Sequence, residues 1–350
     1  MGMLAEEVDF VIGVDTHRDA HVWAVLVAGT GAIVAEGSVS ADAGGYRQAL
    51  RVVEDRAPGC RVWAVEGTGS YGAGLARYLA DQGERLIEVE RPVRAGDRSR
   101  LKSDSLDAVR AAGSALGLTK LATPRQHGRR ESLRALQTTR EGAIAARTQA
   151  LNQLRALIVV CPEPLRSELR VLSQARLIAR CIRLRPNAHT GDEQRGTLLA
   201  LRTLARRLLV LTNEAKELER EIHTLVAELA PQLLTEPGVG PISAAQLLIS
   251  WSHPGRVRNE AAFARLAGAA PIPASSGQTI RYRLDRGGDR KLNRALQTIV
   301  LTRRRQHQAT IAYMQRRRSE GKTSRESVRC LKRYLARHLY RLLEAPPTPA

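Results

Sequence analysis

Four carboxylates lie where the chain enters or leaves predicted regular structure. Asp15 and Glu66 each follow a short apolar run, whereas Asp104 and Asp107 lie three residues apart at the start of a predicted helix and share one helix face. Carboxylate oxygens are the ligands that Mg²⁺ prefers, and two such ions can clamp both oxygens of a phosphodiester under attack. The four residues therefore predict a site for one or two Mg²⁺ ions that performs phosphoryl transfer.

Each carboxylate also has an ordinary structural explanation. An Asp after a strand often forms a turn, and acidic residues in a first helical turn complement the helix dipole. Glu66 could pair with any of many arginines. The prediction of a site therefore depends on the four residues jointly and on a strand order that would bring them together.

A second candidate is the Pro- and Gly-rich segment 268–277, which contains Ser275 and Ser276. A serine hydroxyl is a weak nucleophile that needs activation, and arginines can stabilise a pentavalent phosphoryl transition state. Four arginines follow closely: Arg281, Arg283, Arg286 and Arg290. Composition alone nevertheless favours a surface turn with two hydroxyls.

The basic residues are concentrated in the later part of the chain. The formal charge of +20 over 350 residues divides into −3 for residues 1–120, +8 for residues 121–230 and +15 for residues 231–350. Such a one-sided excess favours phosphate binding over a solubility device. The candidate contacts include Arg281, Arg283, Arg290 and the run Arg303, Arg304 and Arg305, with further arginines every four residues from Arg325 to Arg341. Aromatic residues make up only 3%, which argues against a protein that stacks single bases on aromatic platforms.

The glycines Gly238 and Gly240 interrupt a helical pattern within the segment 233–245. A helix, a Gly-x-Gly hairpin and a second helix resemble a helix-hairpin-helix, whose amides face a phosphate. A simple glycine C-cap followed by a turn explains the segment equally well.

The apolar pattern that must position the carboxylates predicts three consecutive strands and then alternating helices and strands. This order indicates a mixed α/β sheet of the ribonuclease-H type and not a purely parallel one. The predicted strands are 8–14, 22–27, 32–39, 61–65 and 86–89, and the predicted helices are 43–56, 71–82 and 103–118. The motif 67–72 matches Gly-x-Gly-x-x-Gly, but Glu66 beside it would repel a pyrophosphate, so a dinucleotide site is disfavoured.

The middle of the chain is helical. Residues 201–229 carry apolar residues at alternating steps of three and four, a four-heptad seam that predicts a coiled coil, with a long bundle helix as the alternative. Residues 161–190 are poorly periodic and could form a loop, a small subdomain or a linker. The four cysteines show no metal-binding spacing, and no long apolar run or signal peptide is evident, so we expect a cytoplasmic protein.

These motifs together resemble the bridge-RNA-guided insertion-sequence transposases, also called DEDD serine recombinases. The resemblance spans nearly the whole chain. It depends on the motifs around Asp15, Glu66, Asp104 and Asp107, on Pro237–Gly240 and Ser275–Gly277, and on the stretch 286–296. Asp285 departs from it, because an amide or basic residue is expected before the glycine pair.

The resemblance implies a RuvC-like domain over 1–125, coiled-coil helices with an insert over 126–230 and a mostly helical C-terminal transposase domain over 231–350. It assigns Asp15, Glu66, Asp104 and Asp107 to the metal-binding tetrad and Ser276 to the nucleophile, with Ser275 as the adjacent alternative. It also implies donor and target DNA and a noncoding bridge RNA as partners. It further implies a dimer or tetramer in which the carboxylates of one subunit meet the serine of another. The competing hypotheses are a RuvC-like nuclease or junction resolvase that uses water, and a non-catalytic nucleic-acid-binding protein.

Overall fold

The computed structural model describes residues 2–89, 104–125, 127–186, 191–273, 282–283, 285 and 287–345, with the backbone alone at Asp104. The chain divides into two compact units, Met1–His127 and Gly128–Ala350. The division into three domains inferred from the sequence stays a prediction.

The first unit is built on a five-stranded sheet. Its strands are β1 (Phe10–Thr16), β2 (Ala20–Val27), β3 (Ile33–Ser40), β4 (Arg61–Glu66) and β5 (Leu86–Val89). Its helices are α1 (Ala43–Arg56), α2 (Ala73–Asp81) and α3 (Asp104–Leu116). The spatial order is β3-β2-β1-β4-β5, in which β1 to β3 form an antiparallel meander and β4 and β5 add parallel to β1. The predicted mixed α/β sheet is therefore confirmed.

Apolar side chains alternate between the two faces of this sheet. Ile12 and Trp63 are fully buried in one cluster with residues of α1 and α2. Val11 and Val62 are fully buried in another cluster with the alanines of α3. Because both faces are covered, β1 and β4 read as continuous apolar runs, as the sequence analysis found.

Helix α3 lies directly against the middle of β1. A Cβ atom on Gly13 would collide with the carbonyl oxygen of Ala108 and lie 2.5 Å from the backbone nitrogen of Ala112. Only glycine at this position leaves room for the helix backbone. This close contact fixes where α3 lies along the strand.

The second unit is mostly helical. Its helices are α4 (Arg129–Val160), α5 (Leu165–Arg170), α6 (Gln174–Ile182), α7 (Asp192–Leu229), α8 (Pro231–Leu234), α9 (Pro241–Trp251), α10 (Glu260–Leu266), α11 (Arg290–Gln306), α12 (Gln308–Ser319) and α13 (Ser324–Glu344). Two short antiparallel strands, β6 (Ile272–Pro273) and β7 (Tyr282–Arg283), lie between α10 and α11.

The long helices α4 and α7 pack against each other as an antiparallel pair within one chain. Leu133 near the start of α4 shares a core with Ile222 near the end of α7, and Leu154 shares another with Leu201. The seam positions 201, 208, 215 and 222 are buried, whereas Leu204, Leu211, Leu218 and Leu225 are only half-buried. Leu204 and Leu225 nevertheless pack against the two intrachain cores. A coiled coil between chains therefore stays a prediction, and most of its seam already packs within the chain.

The segment 161–190 forms two short helices where the structure describes it. Leu169 in α5 and Leu177 and Cys181 in α6 are buried against Leu201 and Ala205 of α7. The segment is thus a small helical cap on the α4–α7 pair. Each helix has nine residues or fewer, too short to show a helical period in the sequence.

The remaining helices enclose a core around α9, whose residues from Ser243 to Trp251 are all buried. Helix α8 has only four residues and is followed by a turn at Gly238, so the helix-hairpin-helix stays a prediction. Within the described residues, none of the helices has the length and apolarity needed to cross a membrane.

Candidate active site

Asp15, the last residue but one of β1, and Glu66, the last residue of β4, lie on adjacent parallel strands at the same edge of the sheet. The register pairs Val14 with Val65, so the next residue on each strand is one of the two carboxylates. Val11 on β1 and Val62 on β4 face α3, and alternation places Asp15 and Glu66 on that same face. Asp15 is 4% exposed. The strand order of the structure therefore brings both residues to one edge of the sheet, as the sequence analysis expects.

The first turn of α3 lies at this same edge. The backbone amide of Leu4, six residues before β1 begins at Phe10, donates to the carbonyl of Leu118, two residues after α3 ends. The carboxyl end of α3 thus lies near the beginning of β1, and its first turn lies near the end of β1. This places Asp104 and Asp107 toward Asp15 and Glu66, and the Asp107 carboxylate pairs with Arg110 at 2.7 Å.

Two further groups stand beside the carboxylates. The Nε2 atom of His17 lies 3.4 Å from a carboxylate oxygen of Asp15. The Thr16 hydroxyl donates to the Glu66 carbonyl at 3.1 Å and so ties the ends of β1 and β4 together. His17 lies only two residues after Asp15, but nothing in the residue pattern pointed to this contact.

The glycine motif after Glu66 closes into a tight turn. Gly67 has a φ of +63°, and its carbonyl accepts from the amides of Ser70 at 2.8 Å and Gly72 at 3.1 Å. These two amides are used inside the turn and cannot also hold a pyrophosphate. The motif therefore ends the strand and starts α2 rather than forming a phosphate cradle.

The residues at this edge suit a hard divalent cation. A buried carboxylate such as Asp15 needs a compensating positive charge, and oxygen ligands at a strand end suit Mg²⁺. The hydroxyl of Thr68, which is 2% exposed, has no hydrogen-bond partner within the described structure. Among the described side chains, no three His, Cys, Asp or Glu residues converge as a metal site, and the Asp104 side chain lies outside that description. The four-carboxylate cluster stays a prediction.

In the second unit, β6 and β7 flank the serine segment. Pro273 pairs with Tyr282, so the segment that contains Ser275 and Ser276 connects the two strands. Ser275, Ser276, Arg281 and Arg286 lie outside the described residues. The roles predicted for Ser276 and Arg281 therefore stay predictions.

The base of this serine hairpin is held by a close backbone crossing. Gly268 and Gly288 have φ values of +60° and +85°, and a Cβ on either glycine would crowd the opposite backbone. The amide of Asp289 donates to Leu266 at 2.7 Å, and the Asn293 amide group donates to Ala267 at 2.6 Å. The glycine pair of the sequence motif thus anchors the hairpin to the start of α11.

Asp285 and Asp289 have distinct local roles. A carboxylate oxygen of Asp285 accepts from the amide of Gly287 at 2.9 Å, so this residue, unusual for the resemblance, stabilises a turn. Asp289 caps α11 by accepting from Lys291 and Leu292, and its second oxygen accepts from Ser250 at 2.6 Å. Ser250 in turn accepts from Gln246, which accepts from Gln137 of α4.

The predicted phosphate contact at Gly238 and Gly240 has an intrachain neighbour. Arg303 donates to the carbonyl of Pro237 at 2.6 Å and to Glu236 at 2.7 Å, and its side chain is 11% exposed. Arg303 thus holds the glycine turn against α11 and has fewer donors left for a phosphate than Arg304 or Arg305. Gly240 is exposed at the start of α9.

The other predicted phosphate contacts lie on several elements. Arg283 is exposed on β7, Arg290 is exposed at the start of α11, Arg305 is exposed near its end, and Arg304 there is half-buried. The arginine row of α13 is divided, because Arg337 and Arg341 both pair with Glu260.

Two models of known protein families match this chain. A sequence model of DEDD transposases of the IS110 type, described simply as a transposase, matches residues 12–161. A second, described as the transposase family IS116/IS110/IS902, matches residues 230–315. The chain belongs to the IS110 family of transposases.

A curated relative agrees with the IS110 assignment over part of the chain. The chain is 32% identical over 152 residues to the insertion element IS110 uncharacterized 43.6 kDa protein of Streptomyces coelicolor. This match covers 42% of the chain and 38% of the relative. The chain thus matches about two fifths of the length of that relative. The residues matched by the two models include all four carboxylates, Gly238, Gly240 and Ser276. Helix α13 begins after the last residue that the second model matches.

Proposed function

We propose that this transposase is an Mg²⁺-dependent, RNA-guided DNA recombinase that cuts and exchanges strands through a covalent serine–DNA link. One observation carries the proposal: Asp15 and Glu66 lie at the ends of neighbouring parallel strands on the face that the first turn of α3 approaches. Acidic residues gathered at one sheet edge suit a metal-dependent reaction on a phosphodiester. The DEDD domain of the family likewise implies the use of a divalent metal.

In this proposal Asp15, Glu66, Asp104 and Asp107 hold one or two Mg²⁺ ions. A bound ion would supply Lewis-acid stabilisation of the negative charge that grows on the phosphate oxygens. His17, 3.4 Å from Asp15, is placed to orient that carboxylate. Thr16 keeps the two strand ends together through its bond to Glu66.

The nucleophile is Ser276. Its oxygen forms a new P–O bond with the DNA phosphate while the bond from phosphorus to one sugar oxygen breaks. The serine proton goes to a base, and the departing sugar oxygen takes up a proton. Because the number of phosphoester bonds is unchanged, a second sugar hydroxyl can reverse the attack and rejoin a new strand without an external energy source.

The basic second unit would hold the nucleic acids. The excess of +23 over residues 121–350 favours contact with phosphate backbones, and base pairing with a bridge RNA would then read the sequence. Leu211 and Leu218 of α7, which are half-buried and lie outside both intrachain core clusters of this helix, fit a contact between copies, in a dimer or tetramer whose carboxylates meet the serine of another subunit.

The direct experiment uses end-labelled element-end DNA, Mg²⁺, the full-length protein and the RNA that co-purifies with it. A labelled band that survives denaturation at the mass of the protein, present with Ser275→Ala and absent with Ser276→Ala, supports the proposal. Free cleaved DNA that persists with Ser276→Ala, without any adduct in the wild type, overturns it. Removal of the RNA with ribonuclease tests guidance separately, because only site choice and strand exchange should be lost.

A RuvC-like nuclease or junction resolvase that uses water is the second candidate, since the carboxylate edge alone would suffice for hydrolysis. The two readings differ in their products. Hydrolysis incorporates ¹⁸O from labelled water into the DNA end, whereas transfer through serine to another strand does not.

A further inference from the structure

Three of the seven tyrosines gather with a group of cations beside the serine hairpin. A cavity of about 550 Å³ lies between residues 268–271, β7 and α13. The described residues that line it include Tyr282 and Tyr334, and Tyr313 packs edge-on against Tyr334 at 6.2 Å between ring centres. Aromatic residues are therefore few in the chain as a whole but concentrated at this cavity.

The cavity is strongly cationic. Its described lining contains six positive side chains and one carboxylate: Arg283, Arg317, Lys322, Arg329, Lys332, Arg333 and Glu326. Glu326 is used in the capping box of α13 with Thr323, and Arg317 pairs with Glu320. No ion pair with a described residue involves the other five cations, so their charge is available for a ligand.

Lys332 is the most enclosed of these cations. Its side chain is 9% exposed, and its ammonium donates to the Asn293 amide oxygen at 2.6 Å. The other end of the Asn293 amide donates to Ala267 at the base of the serine hairpin. One side chain thus connects a buried ammonium to the hairpin that carries the serines, and burial of Lys332 lowers its pKa. A buried ammonium with donors to spare favours a phosphate as its partner.

The size and shape of the cavity favour a single nucleotide. A volume of about 550 Å³ falls within the range of small-ligand sites, roughly 300–1,000 Å³, and is too small for a duplex. Tyr282 and Tyr334 are 62% and 54% exposed, which leaves ring surface free for a base. Aromatic rings combined with basic side chains are how proteins hold single strands.

We propose that this cavity binds one unpaired nucleotide of the DNA strand that the serine attacks, with its phosphate on Lys332 and its base against Tyr334. The inference rests on the proposed function for the identity of the strand. Its binding chemistry, however, stands on the cavity alone. Lys332 and Tyr334 lie on α13, beyond the residues that either family model matches.

The test measures the affinity of the Ser276→Ala full-length protein for a short fluorescent single-stranded DNA by anisotropy, so that no chemistry intervenes. Tyr334→Leu should weaken binding about tenfold, whereas Tyr334→Phe should retain it, because stacking needs only the ring. Lys332→Met should also weaken binding about tenfold and make its salt dependence shallower by about one phosphate contact. Arg51→Met, an exposed arginine of α1 in the first unit, is the matched charge control and should change affinity less than twofold.

Equal affinity of Tyr334→Leu and Tyr334→Phe overturns the stacking assignment. If Lys332→Met fails to fold, the exposed Arg333→Met variant tests the same phosphate contact. Tenfold tighter binding of RNA than of DNA of the same sequence overturns the choice of a DNA strand. If the wild type forms a serine-dependent adduct but the Lys332 and Tyr334 variants bind single-stranded DNA normally, the nucleotide-binding role of the cavity is refuted and the proposed function is not. Loss of strand binding in these variants, with no adduct in the wild type, refutes the proposed function alone.

Discussion

Gly13 of β1 lies directly beneath Ala108 of α3, with no space for a side chain between strand and helix backbone. This contact positions the first turn of α3, and with it Asp104 and Asp107, relative to Asp15 two residues further along β1. A position that carries no functional group thus determines the geometry of the candidate metal site.

Substitution of this glycine should destabilise the first unit. Gly13→Ala introduces a Cβ that collides with the α3 backbone, and we expect a loss of about 1–3 kcal/mol in the free energy of unfolding. Gly113→Ala is the matched control, because nothing lies within 4 Å of a Cβ there and alanine favours a helix. Urea denaturation followed by circular dichroism measures both. Equal stability of Gly13→Ala and the wild type would show that α3 does not lie this close.

Neutral variants of the strand-end carboxylates should lose metal binding and activity but keep the fold. Asp15→Asn and Glu66→Gln remove charge while retaining shape, and DNA cleavage should fall by at least about 100-fold. Asp81→Asn, which neutralises an exposed carboxylate at the end of α2, is the control and should remain active. Mg²⁺ titration by calorimetry should show weaker binding in the first two variants only. Wild-type cleavage rates in Asp15→Asn would exclude this residue from the site.

The polar chain from Gln137 to Asp289 should stabilise the base of the serine hairpin. Ser250→Ala removes the hydroxyl that donates to half-buried Asp289 and accepts from buried Gln246. We expect a loss of about 1–3 kcal/mol, because buried polar groups then lack partners. Ser319→Ala, whose exposed hydroxyl bonds only to the carbonyl of Arg316, is the control. If both variants unfold at the same urea concentration, the hydrogen-bonded polar groups from Gln137 to Asp289 contribute nothing to stability.

Glu236 should make the second unit sensitive to acid. Burial opposes its ionised form, but the hydrogen bonds from His338 and Arg303 and their positive charges outweigh it and hold the pKa of Glu236 below its ordinary value of 4.5. A lowered carboxyl pKa in the folded state contributes stability that is present above 4.5 and is lost as pH falls through the lowered value.

The measurement is the free energy of unfolding as a function of pH. The wild type should lose stability steeply as pH falls below 4.5, and Glu236→Gln should show a shallower loss because this titration is removed. Parallel curves for the two proteins would mean that Glu236 has the same pKa in the folded and unfolded states.

The sequence predicted the strand ends better than the long-range packing. Asp15 and Glu66 came from local apolar runs, and their approach followed from a strand order that three strands before the first helix already indicated. Lys332 could not be recognised, because its burial depends on Asn293, a residue 39 positions earlier that packs against it only in the folded chain. The seam of α7 was visible, but its division between Leu208, buried against α4, and half-buried Leu211 depends on which helix covers which side.

The most direct test of the central claim is to locate the bond between protein and DNA. Trypsin releases residues 266–281, which contain both Ser275 and Ser276, as one peptide after a denaturing quench of the reaction with element-end DNA. The proposed function predicts that this peptide carries the mass of a nucleotide remnant after nuclease digestion, and that fragmentation places it on Ser276. Cleaved DNA in the same reaction with the peptide 266–281 entirely unmodified would contradict a serine recombinase.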